Sequence, residues 1–321
     1  MYKTIIRRFL ILIPQLIILT LGIFWLSQFM PGDVLAGFAE DPTISAEVLA
    51  EQRERLGLND PWYVRYVRWV SGLLQGDLGR SWVHARLATD VIAERAANTF
   101  RLGVLSLLLT YLIAIPAGIF SGKYREQFAD KAIILYTFFA IAMPIVVLGL
   151  INLFFFGVRL RWFPLANSVD PTITSGTFAY YMSQLRHVFL PALTIALLST
   201  ATIINLLRSE IIDNENSDFV LTARSKGLPS RVVYNKHIFK NASLPIVAGL
   251  GLALSGILGG SILIERLFSF PGMGQLFFQS ILVRDWPIIN ALVLVYAVLV
   301  VFGTLLSDIF ITILDPRVRI R

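Results

Sequence analysis

Apolar residues in this chain are gathered into long runs instead of recurring at the spacing of one helix face. Six runs are nearly free of charged residues: 9–30, 102–122, 132–157, 188–207, 242–264 and 286–314. A bilayer core about 30 Å thick is crossed by about 20 helical residues. The pattern therefore predicts an all-α integral membrane protein with six transmembrane helices.

Composition supports this prediction. Of 321 residues, 56% are hydrophobic and 15% are charged, whereas a soluble domain has about 25% charged residues. The absence of cysteine excludes a disulfide scaffold, a thiolate metal site and a thiol nucleophile. The net charge is +7, and in a membrane protein the placement of the cationic residues reports orientation. We therefore expect membrane lipid around the chain and no nucleic-acid partner.

The placement of lysine predicts the orientation. If the N-terminus is cytoplasmic, the inside segments are 1–8, 123–131, 208–241 and 315–321, and all six lysines fall in them. Cationic residues in short loops favour the cytoplasmic side. We therefore expect a multi-pass protein with both termini in the cytoplasm.

The chain divides into three regions: 1–30, the N-terminus and first helix; 31–101, an extracytoplasmic insertion; and 102–321, a five-helix core. The first run is too long for a signal peptide. In the insertion, 45–58 and 61–75 read as short helices, each closed by glycine. An aromatic stripe on the second is consistent with packing, an interfacial belt or a docking surface. It comprises Trp62, Tyr63, Tyr66 and Trp69.

No catalytic or metal site is visible. Asp308 is the one ionisable residue well inside a predicted span, which weakens an ion-coupled carrier. His84, His187 and His237 lie in three different segments without ligand spacing. Residues 117–124 resemble a phosphate-binding loop, but Tyr124 occupies the place of the required Ser or Thr. We interpret Gly122-Lys123 as a helix end. We therefore expect a non-enzymatic chain with no metal or cofactor of its own.

The fifth run is rich in small residues, which let another helix approach closely. They include Gly249, Gly251, Ser255, Gly256, Gly259 and Gly260. Helix packing explains them, and so does a helix that moves against a partner to form a pathway. Prolines in or beside the spans permit kinks; these are Pro14, Pro116, Pro144, Pro191 and Pro245.

The loop 208–241 is long and charged. Residues 218–228 read as a short helix that breaks at Gly227-Leu228-Pro229, and 237–245 form a basic amphipathic stretch entering the fifth span. One interpretation is a solvated basic loop at the membrane surface. The other is a rigid protrusion that a partner protein binds.

This loop resembles the cytoplasmic loop of permease subunits in binding-protein-dependent ABC importers, in its peptide-permease form. There the loop is the coupling helix that inserts into a groove on the ATPase. The resemblance implies that role for Asp218, Thr222, Ala223, Arg224, Lys226 and Gly227. The general pattern opens with Glu-Ala-Ala, where this chain has Leu221-Thr222-Ala223.

Other motifs resemble the B-type subunit of the dipeptide, oligopeptide and nickel branch, in order along the chain. Early examples are Pro31-Gly32-Asp33, Leu56-Gly57-Leu58 followed by Pro61, and Gly76-Asp77-Leu78-Gly79 with Ser81. Later ones contain Glu265, Phe268, Pro271, Gly272, Gly274, Arg284, Asp285, Asp308 and Asp315 to Arg319.

The resemblance implies the type I ABC importer permease fold in the cytoplasmic membrane of a prokaryote. It also implies a second homologous permease, two ATPase subunits that bind ATP and Mg, and an extracytoplasmic solute-binding protein. ATP-driven closure of the ATPases would switch the paired bundles between inward-open and outward-open states.

The cargo is expected to be a dipeptide or oligopeptide, since the resemblance is to the peptide branch. Nickel, glutathione or an oligosaccharide is the alternative within the same importer class. An ion-coupled or passive transporter without an ATPase is the alternative from another class, and a structural membrane scaffold is a third possibility.

Overall fold

The computed structural model describes residues 2–29, 45–55, 57, 59–259 and 262–314. Helices dominate these ranges, and the β-structure found there is one isolated bridge between Arg80 and Leu87. The all-α prediction is confirmed.

The first part of the chain contains α1 (Tyr2–Phe29), α2 (Ala46–Arg55) and α3 (Trp62–Leu74). Helices α2 and α3 are the two short helices predicted for the insertion. Gly57 and Gly76 follow them with φ of 66° and 81°, a left-handed conformation that glycine adopts without strain. Glycine therefore ends both helices, as predicted.

The aromatic stripe on α3 divides into two pairs. Tyr66 and Trp69 pack on Phe24 of α1, with ring centroids 5.5 and 6.1 Å apart. Trp62 and Tyr63 are exposed. Packing therefore accounts for half of the stripe.

Three described helices are each long and apolar enough to cross a membrane as one continuous helix. They are α4 (Ala88–Lys123), α7 (Phe178–Glu215) and α13 (Trp286–Leu314). Helices α4 and α7 extend well past the predicted spans 102–122 and 188–207, because their polar flanks contain strong helix formers such as Ala, Glu and Arg. Loop 208–241 thus begins inside α7.

The predicted span 132–157 is wrong as a single helix. The chain forms α5 (Phe128–Ala142) and then α6 (Ile145–Asn152), which continues into a π-helical segment, Leu153–Arg159. The two parts are bent by 105°. Pro144 lies at the bend, where it lacks an amide donor and keeps Met143 extended. By contrast, Pro14, Pro116 and Pro191 lie within continuous helices.

The remaining helices are short. They are α8 (Asp218–Ser225); α9 (230–242), formed by Ser230–Val232, Val233–Phe239 and Lys240–Ala242; α10 (Leu244–Gly259); α11 (Ile262–Leu267); and α12 (Met273–Leu282). Several predicted features lie outside the described residues: Pro31 to Asp33, Leu56, Leu58, Gly260 and the terminal motif from Asp315. The Asp308 side chain also lies outside them.

The chain forms two compact units. One comprises residues 98–275 and those from Phe302 onward; the other comprises residues 2–97 and 276–301. Two buried clusters form the core of the first unit. One surrounds Leu207 and Ile211 of α7, and the other surrounds Leu190, Ile264 and Phe270.

Candidate functional site

The predicted coupling segment is a helix, α8, that follows α7 after only Asn216 and Ser217. Asp218 lies in its first turn, where a carboxylate interacts favourably with the helix dipole. The Thr222 hydroxyl donates to the Asp218 carbonyl at 2.9 Å. These contacts shape the start of a short helix of eight residues.

Helix α8 ends in a Schellman motif. The Gly227 amide donates to the Arg224 carbonyl at 2.9 Å, and the Leu228 amide donates to the Ala223 carbonyl at 3.4 Å. Gly227 has φ of 72°, the left-handed conformation that this motif requires. The structure therefore has the predicted break, and Pro229 precedes α9.

The inner side of α8 is anchored in the core. Val220 and Ala223 are 1% and 4% exposed and share one buried cluster with Leu207 and Ile211 of α7. The same cluster includes Val233 and Ile238 of α9, Ala242, and Ile246 of α10, and it packs against Tyr111, Ile115 and Ile119 of α4. Such burial makes α8 part of the helical bundle.

Two glycines on α4 allow α7 to approach closely. A Cβ added at Gly118 would lie 3.0 Å from Leu207 Cβ, and one at Gly122 would lie 2.9 Å from Ile211 Cβ. These glycines belong to the segment that imitates a phosphate-binding loop. Helix packing explains them.

The outer side of α8 is exposed and partly apolar. Phe219, Leu221 and Leu228 are 40%, 56% and 38% exposed, and Lys226 is also exposed. Arg224 pairs with Glu215 at the end of α7 at 3.0 Å, with both side chains about half exposed. We call these exposed side chains, Phe219 and Leu221 of α8 with Lys226 and Leu228 just after it, the outer face of α8. Exposed apolar groups rimmed by charge are typical of a docking surface.

Helix α9 is attached to the end of α4 through Tyr234. Its hydroxyl donates to the Ile119 carbonyl at 3.4 Å, and Lys123 Nζ lies 5.6 Å from the ring centroid. Burial raises the pKa of Tyr234 to about 12, with a smaller contribution from Glu215. The phenol therefore stays neutral and remains a hydrogen-bond donor at ordinary pH.

The structure brings together the predicted motif residues from Glu265 to Gly274. Glu265 is fully buried, and its carboxylate accepts from the Thr99 hydroxyl and the Gln275 amide, both at 2.9 Å. The Met273 amide donates to Thr99 Oγ1 at 2.8 Å. Thr99 was not predicted, because a threonine within a helix gives no local signal of a distant partner.

The motif glycines make room for this carboxylate. A Cβ at Gly272 would collide with the Glu265 carboxyl group, and one at Gly274 would lie 3.0 Å from Glu265 Oε2. The Pro271 carbonyl accepts from Asn98 at 2.9 Å, and Phe268 is buried. The motif is thus a turn folded around one acidic side chain.

The motif at Arg284 and Asp285 forms a separate cluster in the other unit. Asp285 is buried and accepts from the Ser81 hydroxyl and, at 3.3 Å, from the Trp82 amide. Arg284 precedes it with φ of 57°. This contact joins residues 81–82 to the start of α13.

The small residues of α10 have different surroundings. A Cβ at Gly251 would collide with the backbone of Ser307 in α13, whose hydroxyl donates to the Ala248 carbonyl. Gly256 has no neighbour within 4 Å of an added Cβ. The surroundings of Ser255 and Gly259 lie outside the described part. The pathway role of α10 stays a prediction.

Gly256 borders a cavity of about 320 Å³ between α4, α7 and α10. Its described walls are mainly apolar, with hydroxyl groups and no acidic or basic side chain. The lining includes Ser106, Thr110, Tyr111, Ser199, Ile203 and Ala253. In the described ranges no group of His, Asp or Glu could hold a metal ion.

Long apolar helices, a cavity with no charged side chain in its described lining and an anchored helix with an exposed face are typical of a membrane transport subunit. Residues 114–320 match the family described as "Binding-protein-dependent transport system inner membrane component". Residues 1–102 match its N-terminal region. The chain therefore belongs to the inner membrane components of binding-protein-dependent transport systems.

Named relatives span nearly the whole chain. It is 37% identical to the oligopeptide transport system permease protein AppB of Bacillus subtilis, covering 98% of both chains. It is 32% identical to the dipeptide permease protein DppB of Alkalihalophilus pseudofirmus, again over 98% of both. Identity to the glutathione permease protein GsiC of Escherichia coli K12 is 31%, over 99% of both. The prediction of a B-type ABC importer permease is confirmed.

Solved structures show the same fold. The MetNI methionine ABC transporter matches with a TM-score of 0.55 and 12% identity, over 71% of this chain and 97% of that one. An amino acid ABC transporter matches with a TM-score of 0.52 and 15% identity, over 70% and 94%. The predicted type I importer permease fold is confirmed.

Proposed function

We propose that this chain is a peptide-importing permease subunit driven by separate ATPase subunits. The proposal depends chiefly on the 37% identity to an oligopeptide permease protein across 98% of both chains. The dipeptide relative supports the same cargo class. Glutathione, itself a tripeptide, is the second candidate because of the 31% identity to its permease.

The cavity suits such a cargo. Peptides share a backbone and differ in side chains, so a path that accepts many of them benefits from apolar walls and a few hydroxyl groups. Among the described residues the lining provides both and carries no acidic or basic side chain. Selection of the cargo then falls to the extracytoplasmic binding protein.

Helix α8 is the proposed contact with the ATPase. Its outer face offers apolar side chains and Lys226 to a groove, while its inner side is locked into the bundle through Val220 and Ala223. A displacement of α8 would therefore be transmitted directly to α7 and α4. In this proposal loop 208–241 and both termini are cytoplasmic, a second permease completes the path, and two ATPases hydrolyse ATP.

The first test is to tag the chain, extract it gently from native membranes and identify the co-purifying proteins by mass spectrometry. We expect a second permease and two ATPases. The complex, reconstituted with its binding protein, should import labelled di- to hexapeptides in an ATP-dependent, vanadate-sensitive manner. Glutathione, a nickel chelate and an oligosaccharide are the comparison cargoes. A chain that purifies alone, or uptake driven by an ion gradient, would overturn the proposal.

A further inference from the structure

A buried ion pair joins α5 to α7 at positions that no sequence motif marks. Arg208 Nε donates to Asp130 Oδ1 at 2.8 Å, and Arg208 Nη2 donates to Oδ2 at 2.9 Å. The Asp130 side chain is 1% exposed and that of Arg208 is 23% exposed. This two-pronged geometry fixes orientation as well as distance.

The same carboxylate also holds the end of α4. The Ser121 hydroxyl donates to Asp130 Oδ1, and the Glu126 amide donates to Oδ2 at 2.8 Å. Four donors from α4, the following turn and α7 thus converge on one side chain of α5. We call Asp130, Arg208, Ser121 and the Glu126 amide the carboxylate strut.

The strut lies next to the part of α7 that leads into α8. Arg208 follows Leu207 and precedes Ile211 by three residues, and both of those side chains pack against α4 and share the cluster that contains Val220 and Ala223 of α8. From Arg208 to the end of α7 at Glu215 is about two helical turns. Any displacement of α8 therefore reaches Arg208 through a short, packed segment.

Net stability is a poor explanation for such a pair. Desolvation offsets much of the attraction between buried charges, and an apolar substitute is often as stable. Apolar contacts, however, tolerate sliding between helices, whereas a carboxylate that accepts four directional hydrogen bonds does not. The distinctive property of the strut is that it fixes the relative position of three helices.

We propose that Asp130 and Arg208 are positioning residues that make α4, α5 and α7 move together with α8 when an ATPase acts on it. The inference rests on the function proposed for α8. Without the strut, α8 would still bind the ATPase, but part of its displacement would be lost as sliding between helices. Hydrolysis would continue while import falls.

The test compares Asp130→Asn and Arg208→Gln in the complete reconstituted complex with its binding protein and an imported peptide. The measured quantity is ATP hydrolysed per peptide imported. We expect this ratio to rise at least tenfold in both variants, with the amount of assembled complex within twofold of wild type. Matched controls are Asp213→Asn, also near the end of α7, and Arg125→Gln, which removes an exposed ion pair with Glu126 at 3.3 Å. Both should keep the wild-type ratio.

If the complexes with Asp130→Asn or Arg208→Gln fail to assemble, Arg208→Lys provides a milder variant for the same measurement. Lysine keeps the charge beside Asp130 but loses the two-pronged geometry, so the complex should assemble and the ratio should rise about threefold. A wild-type ratio in Asp130→Asn, Arg208→Gln and Arg208→Lys would overturn the inference, as would loss of assembled complex with an unchanged ratio in what remains. A wild-type complex that imports no peptide with ATP would instead overturn the proposed function.

Discussion

Gly227 provides a test of how α8 must end. With φ of 72° it occupies the left-handed region, which costs an L-residue about 1–2 kcal/mol. A Cβ added there meets nothing within 4 Å. The cost of substitution is therefore one of backbone conformation, without steric overlap.

The size of the effect follows from the length of α8. Eight residues are too few for a helix that is stable by itself, so its end geometry depends on the Schellman motif and the burial of Val220 and Ala223. A loss of about 1–2 kcal/mol lowers the ratio of correctly ended to frayed helix by roughly 5- to 30-fold. Asparagine tolerates positive φ better than other side chains, and β-branched residues tolerate it worst.

The experiment compares Gly227→Asn, Gly227→Ala and Gly227→Val in the reconstituted complex, measuring peptide import and ATP hydrolysis. We expect at least half of wild-type import for Asn, an intermediate level for Ala and less than a tenth for Val. ATP hydrolysis should persist in all three. Gly176→Val is the matched control, because Gly176 has φ of 82° and equally open surroundings but lies in the loop before α7.

Two results would refute this reasoning. Normal import by a well-expressed Gly227→Val variant would show that coupling does not depend on the end of α8. Import by Gly227→Asn as poor as that of Gly227→Val would show that any side chain is harmful, so that contact with the ATPase, and not backbone conformation, requires glycine.

Two further predictions concern packing. Gly122→Ala should destabilise the protein by about 1–3 kcal/mol through overpacking, because the added Cβ lies 2.9 Å from the Ile211 Cβ of α7. Thermal unfolding in detergent should show a lower Tm for this variant but not for the control Gly249→Ala, whose added Cβ meets open space. Equal Tm values for Gly122→Ala and the wild type would contradict the close approach of α4 and α7. Thr99→Val should cost about 1–3 kcal/mol because the buried Met273 amide loses its Thr99 acceptor and the Glu265 carboxylate loses one of its donors. Thr99→Ser should restore most of the Tm, and a wild-type Tm for the valine variant would contradict this account.

Features with a local cause were predictable. Runs of apolar residues indicated the long helices, and glycine after a helical pattern indicated where α2, α3 and α8 end. The sequence indicated the cause of the bend at Pro144 but not its angle, because proline permits a kink whose angle depends on the surrounding packing. A single straight span was therefore predicted where the structure turns by 105°.

The polar contacts were not predictable, since each joins residues far apart in sequence. Arg208 and Asp130 are 78 positions apart, Thr99 and Glu265 are 166 apart, and Ser81 and Asp285 are 204 apart. Hydrophobic periodicity reports which face of a helix is buried, but not which neighbour it meets. The family resemblance marked Glu265 and Asp285 without showing which residues they contact, and it marked no member of the strut.

The buried carboxylates also bear on how transport is driven. Asp130, Glu265 and Asp285 are buried among the described residues, and each accepts hydrogen bonds from side chains and backbone amides in the surrounding fold. A carrier coupled to protons or cations needs an acid that exchanges its counterion during the cycle. An acid held by several fixed donors exchanges nothing without breaking local structure. These three carboxylates are therefore suited to holding neighbouring segments in fixed positions, which is what the proposed ATPase-driven mechanism requires of the permease.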